Sequence, residues 1–176
     1  KRKRLLSMDE MRTLYAAAGD LDCGSAARVL MLTGARLSEI TQLRPSEVDL
    51  IGRCIRLTGD RTKNGQTHII PLSDAAFAIV AQQIRLTDGN YVFQHRTLNR
   101  LKGQLPELNE DYRVHDFRRA IATHLSKAGV DPITVEMLLG HTLDKILKSG
   151  VASTYNTDDR IDQRRDALTT WANMLI

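Results

Sequence analysis

The spacing of apolar and polar positions in this chain is helical at the front, changes in the middle and turns helical again toward the end. Ser7-Met8-Asp9-Glu10 has the form of a capping box, in which a hydroxyl and a carboxylate each satisfy an orphan backbone N–H. Leu6 and Met11 flank it as a hydrophobic staple. Met11, Leu14 and Tyr15 continue at helical spacing, and Gly19 is the expected stop. A second helix is predicted from Asp22 to Leu32, interrupted by Thr33-Gly34. A short one follows from about Arg36 to Leu43, with Leu37, Ile40 and Leu43 on one side, and Pro45 forbids its continuation.

Then the period changes. Arg53–Leu57 and Thr67–Leu72 carry β-branched residues on either side of Asn64-Gly65, a strong hairpin signal. Tyr91-Val92-Phe93 is a candidate third strand. Asp74 is placed to cap a helix running to about Arg85. From His115 the pattern is helical again: His115–Lys127 ended by Gly129, Pro132–Leu139 ended by Gly140, and a last amphipathic helix from about Asp158 to Leu175. In that last helix Ile161, Leu168, Trp171 and Leu175 form the apolar stripe. The predicted fold class is mainly α with a small antiparallel β-hairpin or sheet.

Composition narrows the function classes. At 176 residues, 42% of them hydrophobic, the chain can bury a core without disulfides or metals. Two cysteines, Cys23 and Cys54, lie far apart, so neither a zinc site nor a disulfide framework is indicated, and a reducing cytoplasm fits best. The longest wholly apolar run, Ala75–Ala81, is far too short for a membrane span. Net charge is +4, but Lys1-Arg2-Lys3-Arg4 supplies all of it. Bulk charge is therefore weak evidence for nucleic acid. That basic start is equally open as a phosphate contact or a solvated linker, and it suggests a fragment, with residues 1–6 leading in from a missing preceding domain and residues 7–176 forming the main domain.

Five segments carry candidate chemistry, and each has an ordinary structural explanation alone. Arg36 opens a helix, where the dipole opposes its charge, and Glu39 stands three residues on to hold it; a surface ion pair would look the same. Lys63, in Thr62-Lys63-Asn64-Gly65, sits at a hairpin tip, where lysines commonly only face solvent. His115 and Arg118 share one helix face, a pairing better suited to an anion than to a metal. Arg119 is displaced from that face and suits a structural role or a phosphate contact. His141 follows Gly140, a position that a packed turn histidine fills equally well. Tyr155 lies among small residues, in Ser153-Thr154-Tyr155-Asn156.

Taken together, the order Arg36, Lys63, His115-x-x-Arg118, His141, Tyr155 resembles the tyrosine recombinase (phage integrase) family. The segments that carry the resemblance are T-G-A-R-L-S-E-I, T-K-N-G-Q-T-H-I-I-P-L-S, H-D-F-R-R-A-I-A-T-H-L, L-L-G-H-T and S-T-Y-N. The stretch from Tyr155 to Ala172 is similar to integrases of the P4-like prophage and genomic-island branch. Pro45 departs from the pattern, since relatives often carry an aromatic residue there.

The resemblance implies the family's catalytic-domain fold and a site-specific DNA strand exchange through a 3′-phosphotyrosyl intermediate, integrating or excising a prophage or mobile element. Tyr155 would be the nucleophile, Arg36, Arg118, His115 and His141 would attend the phosphate, and Lys63 would be the general acid, with Glu39 in support. No cofactor or metal is expected. Double-stranded DNA is the expected partner, bound by a homo-tetramer on synapsed sites, with the isolated chain a monomer in a prokaryotic cytoplasm and associated with the nucleoid. Two other readings stay open. Ile121–Val130 followed by Pro132–Leu139 resembles a non-catalytic helix-turn-helix regulator, and a type IB topoisomerase shares much of the chemistry.

Overall fold

Local signals set the first helix. In the computed structural model, which describes residues 4–93, 101–141 and 160–176, α1 (Met8–Ala17) begins at its capping box. Ser7 Oγ accepts the Glu10 N–H at 3.2 Å, and Glu10 Oε2 accepts the Ser7 N–H at 2.8 Å. Leu6 and Met11 are both fully buried beneath it. The helix ends at Ala17 and tightens into a 3₁₀ turn over Ala18–Asp20, so Gly19 lies inside the turn and is not the stop. The tight turn is needed because Gly24 packs directly on the Ala18 carbonyl, where a Cβ would fall 1.8 Å from the oxygen.

Helix α2 (Gly24–Thr33) is apolar nearly all round, and a helix of that kind belongs inside. It packs against α1, α3 (Leu37–Thr41), α4 (Asp74–Leu86), α6 (Val114–Lys127) and α8 (Ile161–Leu175). Gly34, at φ 65°, ends it in the left-handed conformation that glycine adopts without strain. A short helix, α5 (Leu101–Gln104), was not anticipated; it adds the buried Leu101 to the core. Helix α7 (Pro132–Leu138) follows α6 through Gly129, at φ 82°. Helix α8 closes the core with Leu168, Trp171 and Leu175, and the Trp171 indole donates to the Met31 carbonyl at 2.7 Å. Its expected first residues, Asp158 and Asp159, lie outside the described residues.

The three-stranded sheet is antiparallel, in the order β1 (Val48–Asp49), β2 (Cys54–Leu57), β3 (His68–Pro71). Leu57 pairs with His68 and Cys54 with Pro71. The expected hairpin forms between β2 and β3, and residues 58–67 join them as a loop that holds Asn64-Gly65 and its own 3₁₀ turn, Gly59–Arg61. Thr62 Oγ1 braces that loop by donating to the Gln66 carbonyl (2.7 Å) and the Gly59 carbonyl (3.1 Å). The third strand is Val48–Asp49, not Tyr91–Phe93. Val92 and Phe93 are instead buried in the core, with the Val92 N–H on the Leu43 carbonyl at 2.8 Å.

Smaller differences have local reasons. The cap of α4 is Ser73, whose hydroxyl accepts from Ala76 N–H, so Asp74 is the first helical residue. Helix α3 is shorter than expected, with Arg36 as its N-cap. Cys23 and Cys54 are both free and buried. No helix among the described residues is long and apolar enough to cross a membrane.

Candidate active site

The end of α2, the start of α3, the α6 face and the turn after α7 meet at one place. Arg36 stands immediately before α3. Glu39 reaches back to it twice: Oε2 accepts the Arg36 backbone N–H at 2.7 Å and Oε1 accepts Nη1 at 2.7 Å. Glu39 is 1% exposed, and a carboxylate so deep is tolerable because both oxygens are engaged, one by a cation. The same guanidinium also donates through Nη2 to the Leu139 carbonyl, at a long 3.4 Å.

Arg118, on α6, is 6% exposed. Nη1 donates to the Gly34 carbonyl, and Nη2 donates to the Leu139 carbonyl at 2.7 Å. One carbonyl, that of Leu139, therefore receives both guanidinium groups. Burial pushes the Arg118 pKa down to about 10; Arg36 pushes it the same way and Glu39 opposes. Arg118 stays a cation at neutral pH, set beside a second cation and held by carbonyls. Two planar forks converging on one shared carbonyl, with a single carboxylate bonded to Arg36 alone, make a place that an anion relieves.

The other candidates surround this pair. His115 lies one turn before Arg118 and is solvent-accessible. Partial desolvation lowers its pKa, with Arg118 the next cause and Arg119 and Arg36 adding to it. It is thus neutral and able to accept a proton near pH 7. His141 follows Gly140, at φ 62°. Its Nδ1 is paired with Glu136 Oε2 and its backbone N–H donates to the Glu136 carbonyl at 3.1 Å. That pairing fixes the ring and leaves Nε2 for other partners. Lys63 is exposed on the 58–67 loop. Its neighbour Asn64 donates from Nδ2 to the Gly140 carbonyl at 3.3 Å, which moors the loop on the turn that carries His141.

Five of the six candidates, Arg36, Lys63, His115, Arg118 and His141, thus belong to segments that meet. Tyr155, the sixth, lies outside the described residues. Asp116 is buried as an end-cap of α6, accepting the Arg113 N–H at 2.9 Å, and Arg119 approaches it at 3.7 Å. Among the described residues no group of three or more His, Cys, Asp or Glu side chains is gathered to hold a metal ion.

Sequence reading missed two neighbours. Glu136 gave no signal, because its partner lies past the end of its own helix. His68 did give one: a histidine in a β-branched run, at a strand position that faces inward. It is 7% exposed, and burial drives its pKa down to about 4; Glu39 opposes, and Arg164, Arg36 and Arg118 add to the fall.

Known proteins resemble the chain in sequence and in fold. The pattern of the Phage integrase family matches residues 4–156. Prophage integrase IntA of Escherichia coli (strain K12) is 26% identical over 179 residues, 94% of this chain and 41% of the relative. The integrase of Escherichia phage P2 is 31% identical over 140 residues, 78% of this chain and 39% of the relative. The chain thus spans less than half the length of these two relatives. Among solved structures, XerA recombinase superposes with a TM-score of 0.66 at 21% identity, covering 92% of this chain and 64% of that one. The Tn1549 transposon integrase in complex with circular intermediate DNA gives 0.62 at 19%, covering 94% and 66%. The fold is that of these recombinases, and with the family pattern covering most of its length the chain belongs to the phage integrase family.

Proposed function

We propose that this chain is the catalytic domain of a site-specific DNA recombinase, which breaks and rejoins strands through a covalent bond from Tyr155 to a 3′ phosphate. The observation that carries this reading is the meeting of Arg36 and Arg118 on the Leu139 carbonyl. A phosphodiester is an anion that repels nucleophiles, and charge grows on its non-bridging oxygens during attack. Two preorganised forks neutralise that charge; losing one such donor typically costs about 3–4 kcal/mol in the transition state.

The remaining roles follow from protonation and position. His115, held neutral, accepts the phenolic proton or bonds a phosphate oxygen. His141, oriented by Glu136, donates to the phosphate. Lys63 gives its proton to the departing 5′ oxygen, a contribution typically of roughly 10²–10⁴ in rate. Glu39 holds Arg36. The bond to Tyr155 conserves the phosphodiester energy, so an incoming 5′ hydroxyl reverses the step without ATP.

The wider assignment rests on the relatives' names and lengths. The names of the prophage and phage integrases support integration or excision of a mobile element, and the DNA complex of the Tn1549 integrase supports DNA as substrate; a homo-tetramer on paired double-stranded sites and a cytoplasmic, nucleoid-associated setting are part of the proposal. Residues 7–176 would be the catalytic domain and 1–6 the lead-in from a DNA-binding domain, with Leu6 already buried in the core. The helix-turn-helix regulator leaves the guanidinium pair without a purpose.

Nicked duplex DNA and a denaturing gel test the proposal. Wild-type protein is expected to leave a covalent protein–DNA band. Tyr155→Phe is expected to leave none while still binding DNA, and an adduct surviving in that variant would remove Tyr155 as nucleophile. Relaxation of plasmid lacking any specific site would favour a topoisomerase instead.

A further inference from the structure

His68 is not needed by the mechanism above, yet it lies within the site's wall. It sits at the start of β3, 7% exposed, and its Nε2 is buried with no hydrogen-bond partner among the described residues. A buried polar atom left unpaired costs stability, so it calls for an explanation. Gly140 shows where that atom points. A Cβ built on Gly140 would lie 3.1 Å from His68 Nε2 and 3.3 Å from Arg36 Nη1. The imidazole and the guanidinium thus border the same small space, which stays open because residue 140 has no side chain.

The charges around the ring decide which face it shows. Burial above all keeps the His68 ring neutral; Glu39 opposes, and Arg164, Arg36 and Arg118 add to the effect of burial. Beside cations, a neutral imidazole is more stable presenting a lone pair than an N–H. Arg36, for its part, is unevenly held. Glu39 grips one side at 2.7 Å, whereas the Leu139 carbonyl takes the other at 3.4 Å and is already occupied by Arg118 at 2.7 Å.

We infer that His68 is a positioning residue of the phosphate site, whose Nε2 lone pair takes an Arg36 N–H when the phosphate draws that guanidinium off the Leu139 carbonyl. The inference rests on the recombinase reading for its functional part. With Glu39 on one Nη1 hydrogen and His68 on the other, Arg36 keeps its plane while Nη2 turns to the anion. Gly140 keeps the contact space clear, and Asn64 ties the Lys63 loop to the same glycine.

Two measurements test it. In the wild-type chain, long-range ¹H–¹⁵N correlation of the imidazoles, assigned by the resonance missing in His68→Gln, reads the tautomer at neutral pH without any catalysis. An unprotonated Nε2 is expected, and a protonated one overturns the inference. Covalent capture of nicked duplex DNA at saturation reads the function. His68→Leu is expected to slow capture by roughly 10- to 100-fold with DNA affinity within about twofold, and His68→Gln, which keeps an acceptor, to recover to within about fivefold of wild type. Leu as fast as wild type, or Gln and Leu equally slow, overturns it. Wild-type protein that captures no DNA would count against the recombinase reading itself, and the tautomer result would stand apart from that failure.

Discussion

The floor and the rim of this site are built differently. On the floor, Arg118 is buried and fixed by two backbone carbonyls, and Arg36 is fixed by a buried carboxylate through both its main chain and its side chain. On the rim, Lys63 is exposed on a loop moored by one 3.3 Å contact from its neighbour, and His141 is oriented by a carboxylate that is 46% exposed. On the proposed reading, the floor must meet charge with little reorganisation, Arg36 giving up only its 3.4 Å contact to the Leu139 carbonyl, and low local dielectric strengthens it. The rim would handle protons, which requires access and an ability to move. Preorganisation is thus concentrated where charge develops and relaxed where a leaving group has to depart.

If that division is right, the largest loss follows from disturbing the floor. Arg118→Lys keeps the charge, but an ammonium cannot present a planar fork to the Gly34 and Leu139 carbonyls and to a phosphate together. Covalent DNA cleavage should fall by about 10²–10³, as for loss of one preorganised donor. Single-turnover cleavage checks this, and a rate within a few-fold of wild type would erase the distinction between fork and charge.

The next effect is on stability, and it too belongs to the floor. His68 titrates near 4 in the folded chain against an ordinary value of 6.5. Between those values the unfolded chain binds a proton that the folded chain refuses, so stability rises with pH through that window and is flat above it. The loss on acidification to pH 4 is on the order of 3 kcal/mol at most. Urea unfolding from pH 7 to pH 4 measures it, and His68→Gln should flatten that share of the slope.

The smallest effect is expected at the rim. Lys63→Ala should slow cleavage by roughly 10²-fold, the low end for a proton transfer, without moving the melting temperature. A substrate with a 5′-bridging sulfur, whose departure needs little protonation, should restore the rate. Failure to restore it would take Lys63 out of the acid role.

What the sequence could reveal divides along similar lines. The Ser7–Glu10 capping box and the Arg36–Glu39 pair were legible because each is closed by residues three apart on one short segment. The Arg118 and His115 spacing was legible for the same reason. The third strand was not: Val48–Asp49 is two residues long and exists through its pairing with Ile55 and Cys54, while Val92 and Phe93 of the stronger-looking Tyr91–Phe93 are drawn into the core. The β2–β3 hairpin was legible around Asn64-Gly65, but the inner ties of its loop, such as Thr62 to Gln66, were not, because they depend on the folded loop. Although Glu136 and His68 beside them were missed, the six candidate residue types were visible in order. Their convergence was not, since Leu139 lies 103 residues from Arg36 and contributes a backbone atom that no side-chain pattern advertises.

The most direct test is a structure of the chain bound to DNA with orthovanadate in place of the scissile phosphate. One vanadate held by both the Arg36 and Arg118 guanidinium groups, with the Tyr155 oxygen opposite the departing 5′ oxygen, is the expected result. A vanadate that touches one arginine alone, or neither, would contradict the account.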